Sequence, residues 1–198
     1  SASAKLLAAT ISAGLYWWRN RMALNDKNND RHPTDGCEEN DMLEGCKNAR
    51  ERWGGVHKLI DNWLNARQEL IVQYCNLLAS KPLSADYSLG NNVQSFCQSM
   101  MDYCSAGHFE IYEQLIREAK EFDDGGIELA RQLVPQLDVL TGRCVDFNDT
   151  YDEHCSFDNL ARLPADLSAI GEVLEDRFEL EDQMIERLHN IHRELVTG

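Results

Sequence analysis

From Arg52 onward, apolar residues recur every three or four positions, the spacing that lines one face of a helix. Leu59, Ile60, Trp63, Leu64, Leu70, Ile71, Tyr74 and Leu78 predict one long amphipathic helix. Lys81-Pro82 and the Ser/Gly/Asn-rich stretch to Asn92 predict a loop. The next helix carries Val93, Phe96, Cys97, Met100 and Cys104 as its apolar stripe. Another runs through Tyr112, Leu115, Ile116 and Ala119 until Asp123-Asp124-Gly125-Gly126 breaks it. Ile127, Ala130, Leu133, Val134, Leu137, Leu140 and Cys144 follow, with Pro135 among them. A mid-helix proline lacks an N–H and crowds the preceding turn, so a kink is expected there. The last long helix repeats Leu167, Ile170, Leu174, Phe178, Ile185, Leu188 and Leu195, and Pro164 with Asp166 suits its first turn. These segments predict an all-α fold. It is an antiparallel helical bundle with a four-helix core, long first and last helices, and a kinked helix near Pro135.

Two places break the simple pattern. Gln98, Asp102, Ser105 and Phe109 form a second stripe at steps of four, three and four, which stacks them on one helix face. A carboxylate, a hydroxyl and a ring in line suggest a small polar site beside a core; Gly107 is placed to bend or end the helix within it. Glu181 falls on the apolar stripe of the last helix, between Phe178 and Ile185. A carboxylate there needs a partner, because burying it unpaired costs several kcal/mol. The partner is Arg177, four residues earlier, or an arginine on another helix; alternatively Glu181 and Asp102 line one cavity between helices.

Residues 1–41 read differently. Lys5 to Trp18 is largely apolar but too short to span a bilayer comfortably. It faintly resembles a signal peptide, without a convincing cleavage region. Asn25 to Asp41 is almost entirely polar, and Met42-Leu43-Glu44 has the look of a natural start. An artificial leader, a genuine extension and a weak interfacial anchor are the readings for 1–41, partly disordered; 42–198 is expected to be the folded helical-bundle domain.

The chain has 198 residues and a formal net charge of −15. The acidity belongs to the domain, because residues 1–41 hold five Lys/Arg and six Asp/Glu of the 19 and 34 in the chain. That disfavours nucleic acid and anionic membranes as direct partners and suits a basic protein. The seven cysteines are scattered without a C-x-x-C pair, which argues for inert or buried thiols in a reducing cytosol and against structural zinc. Di-iron bundles need two Glu-x-x-His motifs; Glu186-Arg187-Leu188-His189 is the single match. His189 and His192 sit three apart in a charged tail expected to be solvated. His108 and His57 lack the surroundings of a phosphotransfer histidine. No nucleophile elbow or phosphate loop is present. Neither a cofactor, a metal nor an enzyme activity is expected.

The run Phe96-Cys97-Gln98-Ser99, Asp102-Tyr103, Ser105-Ala106-Gly107-His108-Phe109 and Ile111-Tyr112-Glu113 resembles the signature of the Rsd/AlgQ family of bacterial sigma-factor regulators. Lys58 to Leu64, Pro135-Gln136-Leu137 and Ile170 to Asp182 resemble other family segments in collinear order, from about Met42 to about Leu195. Arg50 to His57 is similar to the AlgQ branch of pseudomonad-like bacteria. The resemblance implies a cytoplasmic, non-catalytic anti-sigma factor. Such a protein binds the housekeeping sigma factor, mainly the C-terminal region that reads the −35 element, and so favours alternative sigma factors. In relatives it also implies alginate and siderophore gene control, and partners such as a sugar-phosphotransfer carrier protein or the enzyme that turns over guanosine tetraphosphate. The functional cluster it implies is Asp102, Ser105 and Phe109, with His108, Tyr112 and Glu181 around it, as a contact surface or as a pocket that tunes one.

Overall fold

The computed structural model describes residues 39–79, 87–122, 125–151 and 157–189, and every element in them is helical. Helix α1 spans Glu39–Ala79 and α2 spans Tyr87–Ala106. A π-helical turn, Gly107–Ile111, joins α2 to α3, Tyr112–Phe122, without a break. Helix α4 spans Gly126–Thr150 and α5 spans Phe157–Leu188. The described residues therefore form four rods, α1, α2–α3, α4 and α5, packed as an all-α bundle. The apolar run 5–18, the polar stretch 25–38, residues 80–86, Asp123, Asp124, His192 and Leu195 lie outside the described residues, and the remainder of the expected loop, residues 87–92, is instead the start of α2.

Each rod presents a seam at alternating steps of three and four. On α1 it reads Ile60, Trp63, Arg67, Leu70, Tyr74, Leu77, of which Ile60, Trp63, Leu70 and Leu77 are buried. On α5 Leu163, Leu167, Ile170, Leu174, Arg177, Glu181, Met184 and Leu188 are all buried. Such seams are how helices bury a continuous stripe against neighbours. Two expectations from the sequence change here. Ile71 and Leu78 are 41% and 53% exposed, because the seam turns through Leu70 and Leu77 instead. Phe178 is only half-buried, and Arg177 takes the seam position beside it.

The prolines differ from each other. Helix α4 continues through Pro135, whose ring is on the exposed side. Helix α5 begins seven residues before Pro164, so that proline is not in its first turn. The earlier start is tied to the end of α4: the Tyr151 hydroxyl donates to the Asn159 carbonyl at 3.2 Å, and Asn159 Nδ2 donates to the Thr150 carbonyl at 3.1 Å. Gly125, with φ of 89°, supplies the left-handed residue that opens α4. No helix among the described residues is long and apolar enough to cross a membrane.

Candidate functional site

The deepest polar feature is a layer built by all four rods. Glu181 has no exposed surface. Its Oε1 lies 2.7 Å from Arg177 Nε and accepts from the Tyr112 hydroxyl at 2.7 Å. Its Oε2 accepts from the Tyr103 hydroxyl and, at 3.1 Å, from an Arg67 guanidinium nitrogen. Arg177 is fully buried as well, and donates to Thr141 Oγ1 at 2.6 Å and to the Tyr112 hydroxyl at 2.9 Å. Its Nε meets Glu181 off the hydrogen-bond axis, so that contact is an ion pair more than a directed bond. Arg67 also donates to the Tyr103 hydroxyl at 3.0 Å and pairs with Asp182 on the rim. Two guanidinium groups thus face two carboxylates, which removes the penalty of an uncompensated buried charge.

The surroundings hold the protons in place. Burial, reinforced by Glu181, raises the pKa of the Tyr103 and Tyr112 hydroxyls. They stay neutral donors to the carboxylate. Burial alone lowers the Arg177 pKa, but Cys104, Tyr112 and Glu181 outweigh it and the guanidinium stays charged. Cys104 and Cys144, both buried, hydrogen-bond beside Arg177; that bond lowers the Cys104 pKa and raises that of Cys144.

Gly107 sets the geometry. A Cβ there would sit 2.8 Å from Trp63 Cζ2 and 3.2 Å from the Tyr112 hydroxyl. The Trp63 ring is held by its Nε1–H donating to the Tyr103 carbonyl at 3.1 Å and stacks on Tyr103 at 5.0 Å. At roughly 100° per residue, Tyr103 and Tyr112 would lie on opposite faces of an unbroken α-helix. The π turn, closed by the Tyr112 N–H on the Gly107 carbonyl, inserts about one residue and brings both hydroxyls to one carboxylate.

The residues expected to form a cluster divide between surface and interior. Asp102 is exposed and accepts from Gln98 Nε2 at 2.9 Å. Ser105 is half-buried and donates to the Met101 carbonyl at 2.8 Å. Phe109 is 41% exposed. His108 is buried, with Nε2 3.1 Å from Asp138 Oδ1 but poorly aligned for a hydrogen bond. Tyr112 and Glu181 are interior. Asp102 and Glu181 therefore do not line one cavity: adjacent helix residues point about 100° apart, and it is Tyr103 that reaches Glu181. Of the two partners open to Glu181, both are used, Arg177 on its own helix and Arg67 across the bundle.

One further expectation changes. His189 is fully buried rather than solvated. Its Nε2 meets His57 Nδ1 at 3.3 Å, its Nδ1 meets Glu118 Oε2 at 2.8 Å, and Trp53 stacks on both imidazoles at 4.9 Å. Helix α1 reaches far enough back to cover the end of α5. Cys75 is exposed, whereas Cys97, Cys104 and Cys144 are buried. Among the described residues no three His, Cys, Asp or Glu side chains are grouped to hold a metal ion.

Residues 42–189 match the family model described as "Regulator of RNA polymerase sigma(70) subunit, Rsd/AlgQ". This chain belongs to the Rsd/AlgQ family. Two similar proteins are each named "Regulator of sigma D". The Enterobacter sp. (strain 638) protein is 41% identical over 147 residues, covering 73% of this chain and 88% of its own length. The Salmonella paratyphi B protein is 42% identical over 147 residues, covering 73% and 90%. No solved structure gives a significant match. Rsd/AlgQ is a family of sigma-factor regulators rather than an enzyme family. The residues that carry the resemblance, Phe96 to Glu113, supply both the exposed Asp102 on α2 and the π turn that carries the exposed Phe109.

Proposed function

We propose that this protein is a cytoplasmic anti-sigma factor. It binds the housekeeping sigma factor, chiefly through the C-terminal region that reads the −35 element, and thereby favours alternative sigma factors. Family membership over residues 42–189 carries the proposal. Within the family frame, Asp102 and Phe109 are the members of the expected cluster free to meet a partner, with Ser105 between them at the edge of the core. An exposed carboxylate with an exposed ring about two turns further on suits a basic, partly apolar protein surface. The formal charge of −15 speeds encounter with such a region and opposes nucleic acid. His108, Tyr112 and Glu181 act beneath the surface by fixing the turn that presents Phe109. Titration of the purified sigma C-terminal region into the protein at low salt tests this; absence of a complex there rejects it.

A further inference from the structure

Helices α1 and α5 enclose a groove of about 1020 Å³ that contains none of Asp102, Ser105, His108 or Phe109. Its walls have opposite character. On α5, Glu172, Glu175, Glu179, Asp182 and Glu186 line it at steps of three and four, so one ridge of the helix is a row of carboxylates. All five are exposed. Among the described residues Glu172, Glu175 and Glu179 have no ion-pair partner, and Asp182 pairs with Arg67. Among the described residues Arg187 is the single cation in the lining. The floor is apolar, with Ile71 and Tyr74 from α1 facing Leu174 and Phe178 from α5. Beside it the apolar pattern of α1 is wider than the core requires, and Ile71, Val72 and Leu78 remain 41%, 54% and 53% exposed. Gly171 lets α5 close on Tyr74 at the bottom, since a Cβ there would lie 2.0 Å from the Tyr74 hydroxyl.

We propose that this groove docks an amphipathic helix of a protein partner, with apolar side chains on the Ile71 side and a row of Lys or Arg along the carboxylates of α5. Apolar positions at i, i+3, i+4 and i+7 would fill the floor, as helix-in-groove recognition requires. The carboxylate row runs over fifteen residues, about 21 Å of helix, which matches a partner helix of about four turns. The charge fixes the sign of the partner: a neutral or acidic helix would leave Glu172, Glu175 and Glu179 unanswered. The site stands apart from the α2 surface and does not depend on the sigma-binding reading, so both can be occupied together.

The test uses a synthetic eighteen-residue Leu/Lys amphipathic helix as probe against the full chain, by fluorescence anisotropy. Ile71→Ser and, separately, Glu175→Gln with Glu179→Gln are each expected to weaken binding about tenfold or more. Glu128→Gln with Asp149→Asn removes the same charge from α4 and is expected to change it less than about twofold. A Leu/Glu helix of the same length is expected not to bind, and saturating sigma C-terminal region is expected to leave the probe's affinity unchanged. Equal weakening by groove and control variants would mean a diffuse field and overturn the proposal, as would no binding of the Leu/Lys helix. Benzoylphenylalanine placed at position 71 identifies the occupant. Cross-links to the probe support the proposal. Cross-links to residues 1–38 of the same chain, or to a second copy that Ile71→Ser releases in sedimentation, overturn it.

Discussion

Arg177 and Glu181 lie one turn apart on α5, 2.7 Å from each other, and neither exposes any surface. Two charges have been taken fully out of water at seam positions that Leu or Ile would fill at lower cost. What the pair gains is reach. Arg177 touches α3 and α4, while Glu181 touches α1, α2 and α3. A single registry of the four rods satisfies all of these contacts.

The first prediction concerns that layer. Glu181→Ala leaves the buried Arg177 without a counter-charge, while Arg67 keeps only Asp182 on the rim, and is expected to cost about 3–5 kcal/mol in urea unfolding. Arg177→Met with Glu181→Leu is expected to cost clearly less than the sum of the single variants, by about 1–3 kcal/mol. Strict additivity would show that the two side chains do not act as a pair.

A second prediction follows from the raised pKa values of Tyr103 and Tyr112. In the unfolded chain both phenols ionise near pH 10, whereas in the fold they do so at higher pH. The unfolded state therefore releases protons first, and stability, fully present below about pH 10, falls as pH rises above it. Tyrosinate absorbance at pH 11 should lack these two phenols until the protein unfolds. Tyr103→Phe with Tyr112→Phe should flatten the alkaline loss of stability.

The third prediction concerns Gly107. Trp63 is fixed by its hydrogen bond and its stacking, so it yields poorly to a methyl group 2.8 Å away. Gly107→Ala is expected to cost about 1–3 kcal/mol and to disturb the near-ultraviolet signal of Trp63. An unchanged stability and spectrum would show that the close approach is not rigid.

Thiol reactivity gives a fourth check. Cys75 is exposed, while Cys97, Cys104 and Cys144 are buried. An aromatic disulfide reagent should modify Cys75 in the native protein and the three buried thiols only on unfolding. Rapid native reaction at Cys104 or Cys144 would show that the core around Arg177 opens readily.

Much of the bundle was legible because three-and-four spacing is a direct record of which residues face a neighbour. The same rule, applied through charged residues, would have found the polar layer as well. Arg67 falls on the seam between Trp63 and Leu70, and Arg177 falls between Leu174 and Glu181. Passing over the charges moved the expected seam to Ile71, Leu78 and Phe178. The resemblance pointed to Asp102, Ser105 and Phe109, and only the three-dimensional arrangement separates them from Glu181. The π turn left a weak trace, the glycine at 107, but its change of helical phase is not encoded in any hydrophobic period. The His57–His189 contact joins residues from distant helices, and no local pattern marks it.

The proposed sigma contact joins Asp102 on α2 to Phe109 on the π turn, above the buried layer. Calorimetric titration of the housekeeping sigma C-terminal region into the wild-type protein and into Asp102→Ala with Phe109→Ala tests it most directly. A salt-sensitive complex is expected with the wild type, weakened about tenfold or more in the variant, at unchanged thermal stability. A variant that binds sigma as tightly as the wild type would show that Asp102 and Phe109 are not the contact surface.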